Sequence, residues 1–248
     1  MADDLAARAL SFGSVAATYD RYRPGPPMEA VEWLLPTPGG LVVDLAAGTG
    51  ALTRQLEARA DRVVALEPDV RMLEVLSCRS PQVPGALARG EALPVASGTV
   101  DALYVSSAWH WMDVGPTVAE IARVLKPGGW FGVIWNGADR SVPWVADLLG
   151  VGGIPAETLT QQVAWRRRIE LPNGAPFGEP ETWRFEWGLP VTMEELVGLS
   201  QTYSTAIVLG EEAQRGETER VRRVLEGEIP DRLPMRVLAW RAQRLAGR

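Results

Sequence analysis

The sequence predicts an α/β fold built on a parallel, doubly wound sheet, and three observations point to it. Short apolar runs alternate with segments of helical spacing through residues 41–135, the pattern of strands joined by helical crossovers. The first two runs, Leu41 to Val43 and Val63 to Leu66, each stop at an acidic residue, Asp44 and Glu67, 23 positions apart. Between them lies a backbone-exposing turn of small residues, Ala46-Ala47-Gly48-Thr49-Gly50. In such a sheet the binding crevice lies at the carboxyl ends of the strands, where strand order reverses. Those ends carry Asp44, Glu67, Ser106 and Asn136.

The elements follow in order. Phe12, Val15, Tyr19 and Tyr22 share one helical face, and Arg23-Pro24-Gly25-Pro26-Pro27 ends that helix. A second helix runs from about Met28 to Leu35, and Pro36 to Gly40 is a turn. The first strand covers 41–45 and its helix 50–60, with Leu52, Leu56 and Arg59 at helical spacing. The second strand covers 62–66 and its helix 69–77; a weak third strand lies near 84–89. The fourth strand covers 100–106. Val118, Ile121, Ala122 and Leu125 mark the next helix, Lys126-Pro127-Gly128-Gly129 stops it, and the fifth strand covers 130–135.

After that the pattern changes. Trp144, Leu148 and Val151 suggest a short amphipathic helix, and 157–169 another. A Pro/Gly-rich loop from Leu171 to Pro180 precedes Thr182 to Trp187, which alternates as a strand does. Met193, Leu196, Val197 and Ser200 suggest a helix, and 211–227 a polar one. Leu233 to Trp240 reads equally as a last strand or a terminal helix. The organisation expected is N-terminal cap helices over 1–40, a cofactor-binding core over 41–136, and lid helices with the closing strands over 137–248.

Composition narrows the function. Hydrophobic residues make up 46% of the 248, enough to build a core. The net charge of −6 and pI near 5.0 disfavour a nucleic-acid or membrane-surface binder, which needs a basic footprint. The start, MADDLAARAL, does not read as a signal peptide, and no apolar run reaches the roughly 20 residues that span a bilayer. Cys78 is the sole cysteine, so no disulfide framework or thiolate metal cluster is expected, and the cytoplasm is the default location. Cys78 is expected as a partly buried small residue of its helix. The basic run Arg166-Arg167-Arg168 reads as a solvated helix face, or as a clamp for an anionic substrate group.

The turn indicates a nucleoside-bearing cofactor, because an acid at the tip of the second strand is placed to take ribose hydroxyls. A dinucleotide fingerprint would read G-x-G-x-x-G, but Thr53 stands where the third glycine belongs. Asp44 would also face a pyrophosphate and repel it. A cofactor without phosphate and with a cation fits better, and S-adenosylmethionine (SAM) is one. The plainer alternative is a turn whose glycines serve geometry only.

The N-terminal half resembles class I SAM-dependent methyltransferases. VVDLAAGTG is similar to their first motif, with Ala46 in place of a common first glycine, and ALEPDVRML to the second. GEALPVASGTVDALYVSSAWHW resembles the adenine loop and fourth strand of the subfamily with A-E-x-L-P and H-W motifs, with Val100 for its usual Phe. IARVLKPGGWFGVIWN resembles the turn and fifth strand. The likeness is close over residues 10–136 and looser beyond, where it is to small-molecule methyltransferases of actinomycete type. It implies a Rossmann-like, mostly parallel seven-stranded sheet whose two late strands close it antiparallel. A helical lid is implied too, made of the N-terminal helices and the insert after the fifth strand. It implies cofactor contacts from Tyr19, Arg23, Asp44, Ala46, Gly48, Gly50, Glu67, Pro68, Met72, Gly90, Glu91, Ala92 and Ser106. No metal is implied, and S-adenosylhomocysteine is the product.

Methyl transfer from a sulfonium is an in-line displacement, so alignment and water exclusion matter most. His110, the only histidine, has the one ordinary side-chain pKa near neutrality. It reads either as base or orienter of the acceptor, or as a structural histidine bonding backbone beside the cofactor. Ten tryptophans are many. Trp109, Trp111, Trp135 and Trp144 fall around the crevice in sequence, where they either wall an apolar or planar acceptor or pack the core. His110, Trp111, Trp135, Asn136 and Trp144 are therefore the substrate-side candidates, and Tyr19 joins His110 as a catalytic one. The expected activity is methylation of a small molecule in secondary or specialised metabolism, by a monomer or homodimer with a partner protein possible. Two alternatives stay open at this point: non-methylating SAM chemistry on the same fold, and a non-catalytic SAM- or metabolite-binding subunit.

Overall fold

The computed structural model describes residues 11–37, 39–150, 169–203, 207, 211–226 and 230–246; of residues 11, 211–214 and 217 only the backbone is described. A 3-10 turn, Ser11–Val15, leads into α1 (Ala16–Tyr22) and α2 (Met28–Leu34). Then come β1 (Leu41–Leu45), α3 (Thr53–Leu56), β2 (Arg62–Glu67), α4 (Val70–Arg79), β3 (Gly85–Leu87) and β4 (Val100–Ser106). A 3-10 turn at Trp109–Trp111 precedes α5 (Val114–Val124), β5 (Leu125–Ala138) and α6 (Pro143–Leu148). The chain continues with β6 (Glu181–Pro190), α7 (Met193–Gln201), α8 (Glu211–Val224) and β7 (Arg232–Gln243).

The seven strands form one sheet in the order β3-β2-β1-β4-β5-β7-β6. Neighbours from β3 to β5 pair in parallel, and Asp44 of β1 lies in register with Ala65 of β2 and Tyr104 of β4. Successive strands go leftward from β1 and then rightward, so the order reverses between β1 and β4, where an open α/β sheet leaves its crevice. Numbers fall along β7 as they rise along β5: Gly128 bonds to Arg244 and Asp139 to Pro234. An antiparallel bridge joins Phe177 and Arg244 beyond β6. The α/β sheet is thus the one expected, mostly parallel, but of the two late strands only β7 runs against the rest: Gly178 bonds to Gln243 and Val191 to Asp231, so β6 is antiparallel to β7 and runs the same way as β5.

The reasons are local. Val42 to Leu45 are buried, as a parallel strand covered on both faces requires. In α5, Thr117, Val118, Ile121, Ala122 and Val124 form the buried stripe. Asp69 caps α4 by accepting the Arg71 N–H at 2.9 Å, and Thr192 with Glu195 forms a reciprocal capping box on α7.

Three expectations need correction. The helix after the glycine turn is only Thr53–Leu56, with backbone bonds of three residues (Gln55 to Leu52, Arg59 to Leu56) mixed among bonds of four (Arg54 to Gly50, Ala60 to Leu56) around it. The fifth strand starts at Leu125, since the Lys126–Gly129 segment is extended and Gly128, at φ +80°, carries a register shift instead of a break. Of the two readings of Leu233 to Trp240 the strand holds: residues 232–243 are strand, with Leu233, Met235, Val237 and Ala239 buried at alternate positions. Cys78 is exposed, on a helix that buries Met72 and Leu76 instead. Val151, the helix expected over 157–169, and Arg166 to Arg168 lie outside the described residues apart from Ile169, which is not helical.

Two compact units divide the chain. One comprises residues 24–136, 169–185 and 237–248. Its core includes Val43, Leu45, Leu103, Val105, Phe131, Val133 and Trp240. The other comprises residues 1–23, 137–168 and 186–236, with a core of Val145, Leu148, Leu196, Leu199, Val221, Leu225, Leu233 and Met235. No helix among the described residues is long and apolar enough to cross a membrane.

Candidate active site

In the first unit, β1 delivers Asp44 fully buried to the start of the turn. Its Oδ2 accepts a 2.6 Å hydrogen bond from the Thr53 hydroxyl, while Oδ1 is buried with no partner. Burial pushes its pKa up to about 7; the Thr53 bond opposes this and the Glu67 charge adds to it. β2 delivers Glu67, also buried. Its Oε2 accepts the Gly48 N–H at 2.8 Å and its Oε1 the Asp69 N–H at 3.0 Å. Burial pushes it up to about 6 against those two bonds. Two desolvated carboxylates with no guanidinium or ammonium against them among the described residues make a site that favours a positively charged ligand.

The turn takes its shape from left-handed backbone. Ala46 has φ +56°, Gly48 +58° and Gly50 +87°. For alanine that conformation costs about 1–2 kcal/mol, which explains why a glycine is the commoner choice there. The two glycines do different work. A Cβ on Gly48 would meet nothing within 4 Å, so this backbone faces open space; one on Gly50 would lie 3.0 Å from Leu76 Cγ, so Gly50 lets α4 pack. An orphaned carboxylate oxygen and an open glycine backbone side by side fit a cofactor that brings a cation and lies along the chain.

The loop toward α5 is built rigidly. Gly90 packs where a Cβ would be 2.9 Å from Thr117, and Ala92 N–H bonds the Arg89 carbonyl at 3.1 Å. Glu91 accepts the Asp113 N–H at 3.0 Å. Met72 is buried, whereas Pro68 and Ala92 are exposed. Glu120 accepts the Leu93 N–H and pairs with Arg123 at 2.6 Å, which pulls Glu120 down to about 2 against the effect of burial. Arg123 in turn donates to the Leu93 and Val95 carbonyls. Sequence reasoning missed this rivet, although the i,i+3 Glu/Arg spacing on one helix was a signal. It also missed Thr53 as the partner of Asp44.

At the end of β4, Ser106 is half-buried, and Ser107 turns the chain at φ +56° with its N–H on the Ile134 carbonyl at 2.7 Å. His110 and Trp111 are half-buried with ring centres 4.5 Å apart. Trp109 is core, 5.3 Å from Phe131, and Trp135 is also core, its indole N–H buried with no partner. Asn136 donates its amide to the carbonyls of Gly25 (2.8 Å) and Pro24 (3.3 Å), and Gln55 donates to Pro26. The Pro24–Pro26 segment is therefore stitched onto the helix that follows the glycine turn.

The remaining candidates belong to the second unit. Trp144 is half-buried against its core. Tyr19 meets Phe12 edge-on at 5.7 Å. Arg23 donates Nε to the Thr202 hydroxyl at 2.8 Å and Nη2 to the Thr202 carbonyl at 3.0 Å, and stacks over the rings of Tyr203 and Tyr19. No group of three or more potential metal ligands occurs among the described residues.

Sheet order, acid-tipped strands and open glycine turn together define an enzyme of the Rossmann-like nucleoside-cofactor class. Residues 43–133 match the family model described as a methyltransferase domain. An uncharacterized methyltransferase of Mycobacterium tuberculosis (strain ATCC 25618 / H37Rv) is 38% identical over 217 residues, 88% of this chain and 86% of that protein. An uncharacterized methyltransferase-like protein of Schizosaccharomyces pombe is 30% identical over 229 residues, covering 90% and 87%. Among solved structures, a type II methyltransferase assignment from Anaeromyxobacter dehalogenans superposes with a TM-score of 0.58 at 24% identity, covering 90% of this chain and 97% of that one. The chain belongs to the SAM-dependent methyltransferases.

Proposed function

We propose that this methyltransferase acts on a small molecule, in secondary or specialised metabolism, as a member of the subfamily with A-E-x-L-P and H-W motifs. One observation carries the reading. His110 and Trp111, in the turn that follows β4, form a compact, half-buried imidazole–indole pair. Such a surface suits an apolar or planar acceptor of limited size. The acidic balance of the chain argues against a nucleic-acid acceptor. The lone, exposed Cys78 thiol supports a reducing, cytoplasmic setting.

In this reading Glu67 takes the ribose. An ionised carboxylate offers about four lone-pair sites, and the Gly48 and Asp69 N–H groups occupy two. Asp44 supplies negative charge toward the sulfonium and ammonium end, while the Gly48 backbone leaves room for the chain of the cofactor. Met72, Pro68 and Gly90 to Ala92 surround the adenine. The acceptor lone pair attacks the methyl carbon as the C–S bond breaks. The bonding pair goes to sulfur, S-adenosylhomocysteine leaves neutral, and the acceptor sheds its proton. His110 either takes that proton or only orients the acceptor.

The test is transfer of label from methyl-labelled SAM in a cell extract, followed by size fractionation. Label in the low-molecular-weight fraction is expected. Label confined to protein or nucleic acid overturns the reading.

A further inference from the structure

Two guanidinium groups share one aromatic ring in the unit that holds residues 1–23, 137–168 and 186–236. The Arg23 Cζ lies 4.0 Å from the centre of the Tyr203 ring and the Arg140 Cζ 5.7 Å from it. Arg140 follows β5 by two residues and is half-buried; its Nη1 is shielded from solvent and has no hydrogen-bond partner. Unpaired, desolvated guanidinium hydrogens cost free energy.

Among the described residues, no carboxylate answers either cation. Asp139, next in sequence, is committed to Arg236 at 3.0 Å and to the N–H and hydroxyl of Ser141. Glu194 is committed to Arg21 and the Tyr22 hydroxyl. Arg23 spends Nε and Nη2 on Thr202, which fixes its plane. Burial holds Arg140 below its ordinary pKa; Tyr203 opposes this and the Arg23 charge reinforces it. Two like charges over one ring, one of them desolvated and unsatisfied, are unfavourable as a purely structural device. They become favourable once an anion joins them, because planar guanidinium forks match carboxylate and phosphate oxygens.

We propose that Arg23, Arg140 and Tyr203 form a receptor for the anionic group, a carboxylate or a phosphate, of a small molecule. Thr202 holds Arg23 in place as a positioning residue, and Tyr203 is the platform on which both forks rest. The same chemistry has a second source, the carboxylate on the amino-acid tail of SAM itself, and the test separates the two.

The full chain, Arg140→Gln and Arg140→Lys are titrated by calorimetry at low ionic strength with inorganic phosphate, with succinate and, separately, with SAM. The wild type should bind phosphate or succinate. Arg140→Gln should bind it roughly tenfold more weakly or worse, the loss expected for one charged hydrogen bond, and Arg140→Lys should recover part. SAM affinity should be the same in all three. Without anion, Arg140→Gln should unfold at or above the wild-type midpoint, since the repulsion with Arg23 is gone; a structural role would lower it. If the wild type binds neither probe, the receptor is refuted. If Arg140→Gln loses SAM affinity by a similar factor, the anion is the cofactor's and the separate anionic ligand is overturned. A wild type that binds phosphate or succinate but not SAM would leave the receptor supported and sink the cofactor reading instead.

Discussion

Asp44→Asn isolates the electrostatics of the cofactor turn. The carboxylate is fully buried, its Oδ2 held by Thr53 and its Oδ1 unpartnered. Its pKa is raised from 3.8 to about 7, first by burial. At about 1.36 kcal/mol per pH unit, keeping it ionised in the folded chain costs on the order of 2–4 kcal/mol. A folded pKa above the unfolded one means that the native state holds the proton more tightly. The wild type therefore has this contribution in full below about pH 3.8 and loses it as pH rises through about 7. Asparagine keeps the acceptor for Thr53 but does not titrate. Its amide hydrogens add a fixed desolvation cost, so the slope carries the information and the offset does not. Urea midpoints followed by tryptophan fluorescence at pH 5, 6, 7 and 8 give the difference in stability. The variant should gain on the wild type steadily across that range, by roughly 2–4 kcal/mol in total from low to high pH. Parallel pH profiles would refute the assignment of a buried, high-pKa Asp44.

Three further outcomes are expected. Glu67→Ala should weaken SAM binding by roughly 1.5–3 kcal/mol in calorimetry, and NAD binding tighter than SAM in the wild type would sink the cofactor reading. Gly48→Val should abolish SAM binding with the far-ultraviolet circular dichroism nearly unchanged, since its Cβ points into open space and the positive φ adds only about 1–2 kcal/mol of strain; normal binding would show the turn is misplaced. Deleting residues 1–25 removes the Pro24 and Gly25 carbonyls that Asn136 holds along with Tyr19 and Arg23. The product should be folded, weakly SAM-binding and nearly inactive, whereas His110→Ala should retain measurable single-turnover transfer across pH 6–9. A dead His110→Ala that binds both ligands normally would make His110 the base, whose contribution is about 10²–10⁴-fold.

Some of this was legible from residues alone. Strands buried on both faces read as apolar runs, so β1, β2 and β4 could be placed, and the acidic residues Asp44 and Glu67 of the first two came with them. One punctuation signal misled. Lys126-Pro127-Gly128-Gly129 looks like a break, but a bulge absorbs the glycine and β5 begins early. Leu233 to Trp240 carries apolar residues at both strand and helix periods, and only pairing with β5 decides between them. The polar partners were out of reach because they depend on tertiary contact. Thr53 finds Asp44 across nine residues, and Arg140 meets Arg23 through Tyr203. Tyr104 reaches the Leu34 carbonyl across 70 residues, at 2.6 Å. Ala46 shows the opposite case: its departure from the usual glycine was visible, but the reason, a left-handed φ, was not.

The buried carboxylates also bear on where rate is gained. On the proposed reading, Asp44 and Glu67 attract a sulfonium that is fully charged before transfer and neutral after it. During the displacement positive charge leaves the sulfur for the acceptor, so attraction from a carboxylate near the sulfur is strongest in the ground state and weakens toward products. Such an interaction lowers KM for SAM without raising kcat, and it favours release of the neutral product. The acceleration has to come from elsewhere: from alignment of the acceptor, worth about 7–11 kcal/mol when the reacting atoms are held in line.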